Sequence, residues 1–139
     1  MLLAGKIDGR SNLRGCFMDI GEARYADLVL LTPVGRIDHI TSPDFQAKLM
    51  DAVGSGGPVP VVVDLGGVEY ISSVGLRALM IASKESKKTG GTVAVTSLQP
   101  VVKEVFEISR FNYVVKVFDT PRDAVAALSG DALAALENG

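Results

Sequence analysis

A nearly continuous apolar run, Val59–Leu65, places the strongest constraint on how this chain folds. A strand of this composition is buried on both faces, as in a sheet that is covered by helices. Gly66 and Gly67 then indicate a turn, and Ser72 and Ser73 precede a second apolar pattern that has helical spacing. The segment therefore predicts a buried strand, a tight loop and the start of a helix that carries two hydroxyls.

The remainder of the chain repeats this alternation of strands and helices. Further strand signals lie at Leu28–Asp38, Thr92–Thr96 and Val114–Phe118. Helical patterns begin near Ser42, Val74, Pro100 and Thr120, and the last of them extends towards Leu136. Ser42 is predicted to cap its helix, with Pro43 at the first helical position and Asp44 in the first turn. Such alternation predicts an α/β sheet layered against helices.

Composition narrows the classes of function that the chain can serve. Its 139 residues suit one domain, and a formal net charge of -2 with no Trp gives no case for nucleic acid or an anionic membrane. The single cysteine, Cys16, rules out an intramolecular disulfide and favours a reducing compartment. No apolar run is long enough to span a membrane. We therefore expect a cytoplasmic location.

The first part of the chain lacks any periodic pattern. Residues 1–24 carry scattered glycines, so we expect an N-terminal extension that is partly flexible or contains a short strand around Cys16–Ile20. Residues 25–139 are expected to form a single domain.

The motifs of common enzymes are missing from the sequence. One His and one Cys argue against a zinc site, and no P-loop, Gly-x-Gly-x-x-Gly fingerprint or Gly-x-Ser-x-Gly elbow occurs. We therefore expect no catalytic residue, no cofactor and no metal. Ser72 and Ser73 remain, and the pattern leaves two uses open: a helix cap, or a phosphorylation site at a helix N-terminus.

A resemblance to a known family is carried by three segments, Gly35–Ser42, Val62–Arg77 and Gly90–Phe106. Through them the chain resembles STAS domains, most closely the bacterial anti-sigma factor antagonists. The resemblance implies a STAS fold over residues 25–139. That fold is a mixed sheet of four to five strands with about four helices packed mainly on one face.

The resemblance also implies a regulatory mechanism. Such an antagonist binds an anti-sigma factor, often a serine kinase, and thereby releases the sigma factor. The kinase phosphorylates one serine of the antagonist, the complex separates, and a metal-dependent phosphatase reverses the modification. Alignment on Gly75 and Leu76 implies Ser73 as that serine, with Ser72 as second choice, because Ser72 stands where the family usually has Asp.

The implied partner-binding surface combines two of these segments. It consists of Asp38, Thr41, Ser42, Ser72, Ser73, Val74 and Leu76. We expect a regulatory binding protein of transcription and not an enzyme, without direct nucleic-acid contact or membrane insertion, and a homodimer stays open. One alternative keeps the fold but makes the chain a non-phosphorylated STAS subunit of a lipid transporter or another signalling complex. A second, an enzyme or nucleotide-binding α/β protein, is disfavoured by the missing motifs.

Overall fold

The computed structural model describes residues 19–54 and 59–138. Within these ranges lie six strands, five α-helices and one short 3₁₀ helix. In chain order they are β1 (Asp19–Tyr25), β2 (Leu28–Ile37), α1 (Ser42–Val53), β3 (Pro60–Asp64), β4 (Val68–Ile71), α2 (Ser73–Lys88), β5 (Thr92–Thr96), α3 (Pro100–Ile108), the 3₁₀ helix (Phe111–Tyr113), β6 (Lys116–Phe118), α4 (Pro121–Leu128) and α5 (Gly130–Asn138). The predicted α/β fold is confirmed.

The sheet is mixed and runs in the order β1-β2-β3-β5-β6. β1 and β2 are antiparallel, and every other described pair of neighbouring strands is parallel. β3 pairs with the first half of β2, where Val29 faces Val61, and β4 pairs with its end, where Ile37 faces Ile71. The two short strands therefore follow one another along the same side of β2.

The described sheet has six strands, whereas the resemblance implied four to five. Two of these strands, β4 and β1, lie where the sequence analysis had not predicted a full strand. β4 falls where the sequence predicted only a loop, because Val68–Ile71 is too short to show a clear alternation and forms by pairing with the end of β2. β1 begins at Asp19, inside the predicted extension, and is held by pairing along β2. The earlier part of the strand expected at Cys16–Ile20 lies outside the described residues.

Side chains of the strands alternate between two apolar cores. Val29, Leu31, Val61 and Val63 pack against α1, α2 and α3, and Leu28 and Val62 pack against α4 and α5 on the opposite face. Fully burying one such side chain contributes about 1.5–3 kcal/mol. This arrangement explains the unbroken apolar character of β3, since both of its faces are covered.

The C-terminal helical region departs from the single helix that the sequence predicted. It breaks at Ser129, whose hydroxyl donates to Asp27 Oδ1 at 2.7 Å and accepts from the Ala132 N–H at 3.1 Å. α4 and α5 then cover the face opposite α1–α3, so helices lie on both faces, with three of the described helices on one and two on the other. Within the described ranges, no helix combines the length and apolar character needed to cross a membrane.

Candidate functional site

Two loops meet at the carboxyl ends of β2 and β4. The loop 38–41 follows β2, and Ser72 follows β4 directly. Because Ile37 pairs with Ile71, the two loops leave the sheet side by side. The Ser72 N–H donates to the Ile37 carbonyl at 2.8 Å, which ties the second loop to the end of β2. Helices α1 and α2 therefore begin next to each other at this edge.

The start of α1 is closed by hydrogen bonds within its own loop. Asp38 Oδ1 accepts from the N–H groups of Ile40 at 3.0 Å and Thr41 at 3.1 Å. The Thr41 hydroxyl donates to the Arg36 carbonyl at 2.7 Å and accepts from the Asp38 N–H at 2.9 Å. The N–H donors of Thr41 and Ile40 hold the pKa of the Asp38 carboxyl below its ordinary value.

The cap of α1 lies one residue earlier than predicted. Thr41 is the N-cap residue, and Ser42 is the first helical residue with only 4% of its surface exposed. The side chain of Thr41 makes no capping bond to α1, because its hydroxyl already bridges Arg36 and Asp38. The prediction of Ser42 as the capping residue was therefore wrong, although Pro43 does lie in the first turn.

The start of α2 divides its two serines between two roles. Ser72 is the N-cap residue, with extended backbone, and its hydroxyl oxygen accepts from the Gly75 N–H at 3.3 Å. Ser73 is the first helical residue and is exposed. Among the described residues its hydroxyl has no hydrogen-bond partner. The capping role thus belongs to Ser72, and the hydroxyl of Ser73 is left available.

A close approach of backbone and side chains fixes the distance between the two loops. A Cβ at Gly75 would lie 2.6 Å from Ile37 Cγ2 and 2.8 Å from Ile71 Cγ1. Glycine at this position therefore lets the first turn of α2 rest directly on the ends of β2 and β4. The positions of Ser73 and of the loop 38–41 depend on this contact.

The residues predicted to bind a partner differ in accessibility. Ser73 and Val74 are exposed, Asp38, Thr41 and Ser72 are partly buried, and Ser42 and Leu76 are buried. The side chains of Ser42 and Leu76 therefore support the loops from below and are not available to a partner in this structure. The other five lie together at one edge, with Ser73 and Val74 the most open to solvent.

Sequence reasoning missed an apolar side chain in this surface. Ile40 is 52% exposed, close to the 45% of Val74, and lies in the turn that Asp38 and Thr41 close. An apolar residue between polar ones in a turn was the signal available, since it serves no core. Beside the loops, the Arg36 guanidinium stacks over the Tyr70 ring, 4.4 Å from its centroid, so a cation also borders the site.

The chemistry of this edge comes from helix-capping groups, aliphatic side chains and an exposed hydroxyl. In the described part of the chain, no group of three or more His, Cys, Asp and Glu side chains is placed to hold a metal ion. The polar groups of the site instead satisfy helix starts, and its exposed side chains include the Ser73 hydroxyl, the aliphatic groups of Ile40 and Val74, and His39. This chemistry suits contact with another protein surface.

Comparison with known sequences gives consistent matches. The STAS domain family matches residues 22–124. BtrV of Bordetella bronchiseptica, described as a candidate anti-sigma factor antagonist, is 36% identical over 93 residues, which span 67% of this chain and 79% of BtrV. The anti-sigma-F factor antagonist RsfB of Mycobacterium tuberculosis is 29% identical over 110 residues, spanning 78% of this chain and 87% of RsfB.

Solved structures show the same architecture. An anti-sigma factor antagonist candidate from Thermotoga maritima superimposes with a TM-score of 0.73 at 23% identity, covering 78% of this chain and 93% of that one. The anti-sigma factor antagonist SpoIIAA in its unphosphorylated form gives 0.68 at 17% identity, covering 78% and 95%. Bacillus SpoIIAA in its phosphorylated form gives 0.59 at 16% identity, covering 79% and 97%. At such identities these likenesses show the fold alone.

Proposed function

Because this chain belongs to the STAS domain family, and within it to the anti-sigma factor antagonists, we propose that it binds an anti-sigma factor and is released by phosphorylation of Ser73. The proposed binding surface is formed by six exposed or partly buried residues at the starts of α1 and α2. These are Asp38, Ile40, Thr41, Ser72, Ser73 and Val74. We propose a regulatory role in the cytoplasm and no catalytic one, with a serine kinase as the anti-sigma partner and a metal-dependent phosphatase that reverses the modification.

The observation that carries the proposal is the free hydroxyl of Ser73 at the first position of α2. A kinase needs an accessible hydroxyl, and this one is exposed and holds no other group in place among the described residues. The first turn of α2 contains no acidic residue, so a phosphate there meets the positive end of the helix dipole without repulsion from its own turn. The fold can therefore accept the modification.

The same phosphate is poorly tolerated by a docked partner. It adds about -1.5 to -2 charges at neutral pH. The neighbouring exposed side chains, Val74 and Ile40, offer apolar contact area, and burying an uncompensated charge beside such contacts is strongly unfavourable. Release therefore follows from charge at the interface and requires no rearrangement of the domain. SpoIIAA, which has the same fold, has been solved in both a phosphorylated and an unphosphorylated form, which supports the proposal that a domain of this fold accepts a phosphate.

Ser72 keeps the structural part of the role that Asp has in the family's loop. Asp and Ser are both strong N-cap residues, so the helix start survives the replacement. The carboxylate charge is lost, so a negative charge within the first turn of α2 would come from phosphorylation. Ser72 is the second candidate for modification, and its bond to the Gly75 N–H makes it the less accessible hydroxyl.

Intact-mass analysis after incubation with the anti-sigma kinase and ATP tests the proposal. We expect one phosphate on the wild-type chain, none on Ser73→Ala and one on the matched control Ser72→Ala. Ser73→Glu should lose binding in a pull-down, and Ser73→Ala should remain bound in the presence of ATP.

Phosphate on Ser73→Ala, or binding by Ser73→Glu as tight as that of the wild type, would contradict the site assignment. A stable complex with a transporter ATPase, with no phosphate gained, would support the transporter-subunit alternative instead.

A further inference from the structure

Helix α2 carries a concentration of positive charge on a chain that is acidic overall. Four of its side chains are basic and one is acidic, and all five are exposed. The helix therefore bears a net charge of +3, whereas the whole chain has a formal net charge of -2. Such a concentration of one sign on one element favours a partner of opposite charge.

Three of the four cations lie along one line of the helix. Lys84 follows Arg77 by seven residues and Lys88 follows by four more, which places the three within about 40° of one another around the helix axis. Ser73 lies one turn before Arg77 on the same side, so the line runs about 22 Å from the Ser73 hydroxyl to the end of α2. We call Arg77, Lys84 and Lys88, with Ser73 at their head, the α2 stripe.

Aliphatic side chains fill the space between the cations of the stripe. Met80 and Ile81 lie between Arg77 and Lys84 and are partly buried, whereas Leu79 on the opposite side of α2 is fully buried in the core. The stripe therefore offers positive charge beside apolar contact area, a combination that suits an acidic protein surface with apolar groups of its own.

The stability of the domain does not account for the stripe. Lys87 and Lys88 lie in the last turn, where cations suit the helix dipole, but Arg77 and Lys84 lie before that turn. Neither Arg77 nor Lys84 forms an ion pair with any described residue. Lys88 pairs with Glu85 at 3.3 Å, and both side chains are exposed, so the pair contributes little. The cations of the stripe are thus available to an external acidic group.

We infer that the α2 stripe is the second half of the surface that binds the anti-sigma factor, and that it contacts an acidic face of that partner. The inference rests on the proposed function, because the stripe and the proposed binding surface share Ser73. A stable interface involves about 20–30 residues on each side, so a partner that covers the six residues at the helix starts extends over a neighbouring surface. The stripe continues from Ser73 along the same side of the same helix.

An acidic partner face also gives release by phosphorylation a second cause. A phosphate on Ser73 stands at the head of the stripe, one turn from Arg77, where it pairs with the guanidinium. It then repels the acidic groups of the partner and occupies a cation that they need. Phosphorylation thereby weakens the electrostatic contact along α2 as well as the apolar contact beside Ser73.

Binding of the unphosphorylated chain to the anti-sigma kinase of the phosphorylation assay tests the inference. Lys84→Glu reverses a charge about three turns from Ser73. Lys103→Glu is the matched control, because it makes the same charge change at an exposed lysine of α3. We expect Lys84→Glu to bind about tenfold more weakly than the wild type and with less dependence on salt, and Lys103→Glu to stay within about twofold. Lys84→Arg keeps the charge and should bind like the wild type.

The outcomes separate this inference from the proposed function. If Ser73→Glu is released while Lys84→Glu binds as tightly as Lys103→Glu, the inference fails and the phosphorylation switch stands. If the wild-type chain neither binds the kinase nor gains a phosphate, the proposed function fails and the inference fails with it.

A probe of defined chemistry tests the charge of the occupant without the kinase. The probe is a synthetic helical peptide with Glu and Leu on one face, and its control has Lys in place of Glu. We expect the acidic peptide to shift the backbone amide NMR signals of Arg77, Ile81 and Lys84, and the basic peptide to leave them unchanged. Equal shifts with both peptides would overturn the inference. Tighter binding to phosphatidylserine vesicles than to the acidic peptide, lost in Lys84→Glu, would also overturn it by assigning the stripe to a membrane surface.

Discussion

The starts of α1 and α2 lie side by side, yet they use their polar side chains in opposite ways. At α1, Asp38 and Thr41 bind each other's backbone and Ser42 is buried, so the loop closes on itself. At α2, Ser72 alone caps the helix and Ser73 remains without a partner among the described residues. The start of α1 is therefore held by hydrogen bonds within its own loop, whereas the start of α2 leaves the hydroxyl of Ser73 accessible.

This contrast separates stability from function within a single surface. Substitutions at α1 should be costly to the fold because each removes a bond that a backbone group needs. Substitution of Ser73 should cost little stability and act through binding. The four predictions below test that division, from the largest expected effect to the smallest.

The contact that holds the two starts together should be the most sensitive position. Gly75→Val places new atoms against Ile37 and Ile71, where a Cβ alone would approach to 2.6 Å, so we expect a loss of about 3 kcal/mol of unfolding free energy. Gly130→Val is the matched control, since a Cβ there meets nothing within 4 Å. Urea denaturation measures both. Similar stabilities for the two variants would show that α2 can shift away from β2 and β4.

The closed loop at α1 should depend on one hydroxyl. Thr41→Val keeps the side-chain shape but removes the partner of the Arg36 carbonyl and of the Asp38 N–H, at a cost of about 1–2 kcal/mol. Thr41→Ser retains the hydroxyl and should lose less than half of that amount. Denaturation curves of the two variants provide the comparison, and equal losses would mean that the methyl group, and not the hydroxyl, matters.

The two serines of α2 should respond differently to the same substitution. Ser72→Ala removes the cap and should cost about 1 kcal/mol, whereas Ser73→Ala should stay within about 0.5 kcal/mol of the wild type. Thermal and urea unfolding measure the difference. A larger loss for Ser73→Ala than for Ser72→Ala would reverse the assignment of the cap and, with it, the argument for the free hydroxyl.

The smallest effect concerns the charge of Asp38. Its folded pKa is lowered, chiefly by the Thr41 N–H, so its contribution to stability is present above the unfolded value of about 3.9 and is lost as the pH falls through the folded pKa. Asp38→Asn still offers an oxygen acceptor but does not titrate. We expect the stability advantage of wild type over this variant to shrink as the pH falls below about 5 and to be lost once the pH passes the lowered pKa of Asp38. A pH-independent difference would exclude the carboxylate charge as its source.

Local sequence patterns were enough to predict much of the fold and part of the candidate site. The apolar run of β3, the glycines after it and the serines before α2 predicted a buried strand, a turn and a helix start, and all three are present. The pattern could not separate Ser72 from Ser73, because a cap is defined by one change in backbone angles between adjacent residues. It misplaced the cap of α1 by one residue for the same reason.

The chain's own residues thus specify an α/β domain with hydroxyls at the start of α2, because burial and capping are short-range preferences. Pairing across the sheet places Ser72 beside Ile37, recruits β4 to the end of β2 and brings α4 and α5 to the second face. These contacts join residues that are far apart in sequence, and no local periodicity encodes them. The accessibility of Ser73, on which the proposed function rests, follows from that long-range packing.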